Sequence, residues 1–178
     1  RVGGLGRHDL VWGGEARYTH DDTRGNLFIS VSPERYDHRL LSAFAQDEIE
    51  LADERLHLTL GGKVEHRDYT GASFQPTARL HWRVTPRHAL WTAVSRAQRA
   101  PDRIERSMRL AIAGFPMPGG MWGVVGIQGN PAIESEWMTA YEAGYRTVVG
   151  DAITVDVAAY VSRYSNLMAN VERAPRVE

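Results

Sequence analysis
The chain reads as an all-β protein, an antiparallel up-and-down meander of about seven strands that forms part of a transmembrane β-barrel. Three observations carry this. Apolar and polar residues alternate with period two over segments of about 11–14 residues, when strands of soluble proteins average about 5–6. The connections alternate between short turns and longer links, as on the two rims of an outer-membrane barrel. Aromatic residues (Trp12, Tyr18, Tyr69, Trp82, Trp91, Trp137 and Tyr145) fall near segment ends, where a membrane interface would place them.

Residues 9–20 set Leu10, Trp12, Ala16 and Tyr18 against Asp9, Glu15 and Arg17. Residues 38–51 and 88–98 are strand-like without a clear facing. In 55–67, Leu56, Leu58, Leu60 and Val64 oppose His57, Thr59, Lys63, Glu65 and Arg67. In 74–85, Phe74, Ala78, Leu80, Trp82 and Val84 oppose Gln75, Thr77, Arg79, His81 and Arg83. Residues 137–148 (Trp137, Tyr141, Ala143 and Tyr145 against Glu142 and Arg146) and the run beginning at Ile153, Val155 and Val157 against Thr154 and Asp156 complete the set. No segment reads as an amphipathic helix. Short turns are expected at 51–54, 85–87 and 149–152, and longer links at 21–37, 69–73 and 99–136. The facing predicts Leu58, Leu80, Trp82, Val155 and Val157 toward lipid, and Arg79, Arg83, Glu142 and Asp156 toward a lumen.

Composition narrows the function. The 178 residues carry a net charge of −1, which offers no field for nucleic acid. Lys63 is the single lysine among 21 basic residues, an arginine bias that codon composition explains better than a phosphate-binding surface. With no cysteine, a disulfide framework, a Cys-ligated zinc and a cysteine nucleophile are excluded. The chain starts at Arg1 and first reaches methionine at Met108, so it reads as a processed or partial product. The apolar run 110–127 matches a spanning helix in length, but Pro116, Pro118 and its glycines mark loop or turn. A soluble antiparallel β-sandwich, with one wet face per sheet, would alternate in the same way, and the pattern alone leaves it open.

Particular strings then resemble the barrel of TonB-dependent outer-membrane receptors, in family order. They are Phe44-Ala45-Gln46-Asp47-Glu48, Leu58-Thr59-Leu60-Gly61-Gly62-Lys63-Val64-Glu65, Phe74-Gln75-Pro76-Thr77-Ala78-Arg79-Leu80, and the run from Trp91 through Ser95-Arg96 to Arg99-Ala100-Pro101. The fifth is Gly129-Asn130-Pro131-Ala132-Ile133-Glu134-Ser135-Glu136, followed by Tyr141-Glu142-Ala143-Gly144-Tyr145. The resemblance implies that 1–178 is a partial barrel domain, without the plug domain and the remaining strands. It implies a transporter with no enzymatic activity and no cofactor, in the outer membrane of a Gram-negative bacterium, taking up a ferric siderophore or a cobalamin-like chelate. Its implied partners are that chelate, outer-membrane lipid and lipopolysaccharide, and the TonB complex through the plug. A passive or adhesive barrel and a soluble sandwich binding module are the competing readings.

Other chemistry is weaker. The seven histidines (His8, His20, His38, His57, His66, His81 and His88) show no helical ligand spacing, so no metal site is expected. Gly119, Gly120, Gly123 and Gly126 lack the Lys-Ser/Thr of a phosphate loop, and Glu134 with Glu136 lack a cleft. Function is expected in 99–136, because long loops on a rigid scaffold carry binding residues. Arg99, Arg103, Arg106 and Arg109 would steer an anion, and Met117, Met121 and Trp122 would offer a polarizable surface. The same arginines could equally meet lipopolysaccharide phosphates or neighbouring loops.

Overall fold
The computed structural model describes residues 2–3, 7–52, 54–150 and 152–172. Its main sheet runs β1 (Val2–Gly3), β2 (His8–Asp22), β4 (Arg35–Ala52), β5 (Leu56–Arg67), β6 (Gly71–Thr85), β7 (His88–Arg99), β10 (Glu136–Val149) and β11 (Ile153–Ser165), in that spatial order. Every neighbouring pair is antiparallel, so the chain is a meander broken only by two excursions. Those excursions supply β3 (Ile29–Val31), β8 (Met108–Pro116) and β9 (Trp122–Gln128), which form a second, three-stranded sheet. A short helix, α1 (Arg103–Ser107), precedes β8.

Seven strands are long, from 12 to 18 residues, and they coincide with the seven alternating segments of the sequence. Register puts the predicted residues on common faces. Leu58 sits opposite Leu80, Trp82 opposite Leu90, Tyr145 opposite Val157 and Thr147 opposite Val155 on one face. Arg79 opposite Thr59, Glu142 opposite Tyr160 and Arg146 opposite Asp156 lie on the other. No second sheet covers the apolar face among the described residues, and Trp12, Phe74, Val157 and Val161 are each more than half exposed. Burial is confined to a few positions such as Leu40 and Ala140. A sandwich would bury this face, so the soluble reading does not describe the structure. Charged groups of the apolar face lie toward the strand ends, as with His8 beside Asp47, His20 beside Asp37 and Arg96 over the Trp137 ring.

Residues of all five family-like strings acquire a physical reason here. Gly13, Gly62 and Gly144 each lie under an aromatic ring: Phe44, Phe74 and Trp91 respectively. A Cβ at Gly13 or Gly62 would come within 2.7 Å of the ring, so only glycine lets it lie flat on the strand. Trp91 is therefore a polar-face residue packed on Gly144, and not part of an interfacial girdle.

Two expectations change. The link at 69–73 is only the turn 68–70, closed by Gly71 at φ +75° and by Asp68, whose carboxylate accepts from the Arg39 N–H at 3.2 Å. The link 99–136 is ordered as a helix and a hairpin. Its helical start was legible as Asp102 and Glu105 after Pro101: the Asp102 carboxylate accepts from the Glu105 N–H at 2.8 Å, and the Glu105 carboxylate accepts from the Asp102 N–H at 2.8 Å.

Candidate functional site
β2, β4 and β5 bring polar-face residues together at the rim that carries the excursions. Thr19 pairs with His38, Asp21 with Tyr36, and Leu40 with both Arg17 and Arg67. Across the rim, β3 pairs with β8 through Ile29 opposite Leu110 and Val31 opposite Met108. The Ala111 N–H donates to the Phe28 carbonyl at 2.7 Å and the Ser32 N–H to the Ser107 carbonyl at 3.2 Å. Two loops far apart in sequence thus join into one arch, which passes over the short turn 68–70 between them.

Arginines fix the arch to the wall. Arg103, with a side chain only 10% exposed, donates to the Pro33 carbonyl, lies 3.6 Å from the Asp21 carboxylate and sits over the Tyr36 ring at 5.7 Å. Asp21 is also bonded by His38 Nε2 at 3.0 Å, and the His38 ring meets Tyr36 and Tyr69 edge-on. Arg106 lies over the Tyr69 ring at 5.2 Å. Arg99 pairs with Glu105 and, at 3.4 Å, with Glu136. Burial pushes the Glu105 carboxyl up, but the Arg99 hydrogen bond and charge and the Asp102 N–H outweigh it and hold the group below its ordinary 4.5.

The return of the loop explains the Gly-Asn-Pro string. The Gly129 N–H donates to the Met108 carbonyl at 2.7 Å and the Asn130 N–H to the Glu105 carbonyl at 2.9 Å, taking up carbonyls at the end of α1. A Cβ at Gly129 would lie 2.7 Å from backbone atoms of Arg106 and Ser107. Glu134 accepts from Asn166 at 3.0 Å and Glu136 from the Met168 N–H at 2.8 Å, so both carboxylates hold the strand's re-entry.

Beneath the arch is a cavity of about 470 Å³, lined among others by Arg17, Asp21, His38, Arg67, Tyr69 and Arg103. The predicted residues divide. Arg99, Arg103 and Arg106 are drawn to the base of the arch, and Arg109 stands on β8 opposite Ser30 and Gln128. Met117, Met121 and Trp122 occupy the tip, where the Met117 N–H donates to the Met121 carbonyl at 2.8 Å and Trp122 is 72% exposed. The length of β8, at about 3.3 Å per residue, separates the two groups. Asp21, Tyr36, His38, Tyr69, Arg17 and Arg67 were missed. The signal for them was alternation on β2 continuing outward through Arg17, Thr19 and Asp21, read against the partner strand beyond the link.

An open antiparallel sheet of long, amphipathic strands, with two loops folded over its polar face at one rim, defines the wall of a membrane barrel. Residues 2–177 match the family of the TonB dependent receptor-like beta-barrel, and the chain belongs to that family, whose members are transporters and not enzymes. An iron-regulated outer membrane virulence protein of Vibrio cholerae is 27% identical over 173 residues, 96% of this chain and 24% of that protein. Among solved structures, the siderophore receptor PirA of Pseudomonas aeruginosa superposes with a TM-score of 0.72 at 17% identity, over 88% of this chain and 29% of that one. A ferric enterobactin receptor of the same organism, in complex with enterobactin, gives 0.71 at 22%, over 88% and 24%. The chain thus spans about a quarter of the length of the proteins it matches.

Proposed function
We propose that this chain is part of the barrel wall of an outer-membrane receptor of a Gram-negative bacterium that takes up a ferric siderophore or a similar iron chelate. The plug domain that would meet TonB, and the remaining strands, belong to the rest of the parent receptor. The observation that carries the reading is the arch: two loops paired into one sheet, folded over the polar face and roofing a cavity rich in arginine. That its relatives include an iron-regulated outer membrane protein and a siderophore receptor supports iron as the cargo. Lipid contacts the apolar face in this reading, and lipopolysaccharide meets the outer rim.

Capture is divided between the two ends of the arch. Met117, Met121 and Trp122 make the first apolar contact, and Arg99, Arg103, Arg106 and Arg109 set the shape and the positive field of the mouth. The test is uptake of radiolabelled iron by cells expressing the parent receptor. Replacing Met117, Met121 and Trp122 together with alanine is expected to weaken chelate binding about tenfold while the receptor still assembles. Unchanged binding in that variant removes the tip from capture. Uptake that persists without an energised inner membrane favours a passive barrel instead.

A further inference from the structure
The cavity under the arch has a composition that iron uptake alone does not require. Its lining includes three guanidinium groups, from Arg17, Arg67 and Arg103, against two carboxylates, Asp21 and Asp102; Arg39 lines it by its backbone, its side chain standing on the other face beside Tyr18. Both carboxylates are committed. Asp21 is held by His38 at 3.0 Å with Arg103 at 3.6 Å, and Asp102 caps α1. Arg17 uses one nitrogen on Glu15 of its own strand at 2.5 Å, and Arg67 bonds Glu65 of its own strand at 2.6 Å and the Tyr69 hydroxyl. Each guanidinium carries five donors, so donors remain on both. Arg103 is nine-tenths buried, and its Nη1, 3.6 Å from the Asp21 carboxylate, pairs with that charge but makes no hydrogen bond to the described residues. A buried, charged donor whose nearest carboxylate lies beyond hydrogen-bond reach is only partly satisfied, and an anion in the cavity would complete it.

The remaining lining says what kind of anion. Val31, Leu40, Ile104 and Tyr69 give apolar and aromatic wall, and about 470 Å³ is far more than a bare inorganic ion fills. A planar carboxylate matches the fork of a guanidinium, and a carbon body suits the wall. We propose that this cavity is a subsite for an organic carboxylate with an apolar or aromatic body, held by Arg103 from the arch and by Arg17 and Arg67 from the wall. It rests on the uptake reading for its role, as the place where a carboxylate-bearing chelate is distinguished from a neutral one. Because the site takes donors from both arch and wall, its occupant ties the two together.

Binding of benzoate to the purified full-length parent receptor in detergent, followed by calorimetry, tests the site with a probe that holds no iron. Benzamide serves as the neutral isostere and inorganic phosphate as the small anion. Benzoate is expected to bind at least tenfold more tightly than either, and Arg103→Gln is expected to lose at least tenfold. Arg17→Gln and Arg67→Gln, which leave the arch intact, are each expected to weaken benzoate severalfold. Equal binding of benzoate and benzamide, or full binding in all three variants, overturns the subsite. Phosphate binding as tightly as benzoate overturns the organic-carboxylate assignment. Iron uptake that continues in a receptor failing these tests leaves the transport reading standing, whereas a receptor that binds benzoate and imports no iron chelate overturns that reading alone.

Discussion
Glu105 shows how one side chain can serve two elements. It closes the capping box of α1 and pairs with Arg99 at the end of β7, so the helix and the strand share a charge. Its carboxyl is held below 4.5, so the stability it gives is fully present above about pH 4.5 and is lost as pH falls through the lowered value. Protection of the 102–108 amides against hydrogen exchange, relative to the intrinsic rate at each pH, should therefore fall below about pH 4.5, and Glu105→Gln should flatten that dependence. Gly129 is the second such residue, and its role is steric. Gly129→Ala drives a methyl into the Arg106–Ser107 peptide and should cost about 1–3 kcal/mol, read as faster protease cleavage within 99–136 on intact cells. Neither role was legible in full. The Asp102 and Glu105 spacing was there to read, but the meaning of Gly129 depends on a helix the chain has already left.

The strands were the most legible elements, because a period of two sustained over 12 or more residues leaves little room for another structure. The same periodicity makes facing testable. Val157→Arg places a charge on the apolar face further from the turn, where the cost rises toward about 2–4 kcal/mol at the bilayer midplane, and should reduce receptor assembly in the outer membrane. Asp156→Ala removes an exposed partner of Arg146, at 2.5 Å, and should cost about 1 kcal/mol or less. Comparable assembly of the two variants, measured by heat-modifiable migration, would show the faces exchanged. The arch was legible only as a place where function would gather. β8 and β9 are apolar and glycine-rich on a hairpin that bends through Gly119 and Gly120, so composition spoke for loop while long-range pairing imposed strand. The partner of β8 is β3, about eighty residues earlier, and no local pattern reports such a pairing. For that reason Arg103 stood out by charge, while Asp21 and Pro33, which hold it, did not.

At the scale of the molecule, the sheet ends in two open edges among the described residues, at β1 and at β11. Unpaired backbone is not viable in lipid and invites association in water. Residues 1–178 expressed alone in detergent-free buffer should therefore aggregate, and a stable monomer by sedimentation would contradict the barrel-wall reading. The seven long strands were visible in the sequence, whereas the arch over them needed the long-range register. The rings laid flat on Gly13 and Gly144 bear on a different quantity, the free bore of the passage. An aromatic side chain standing upright would reach well into a channel, but Phe44 and Trp91 lie along the wall and add little to its thickness. The polar face thus carries large, stiff side chains at small cost in clearance, and a single methyl at Gly144 would lift the Trp91 indole off the wall.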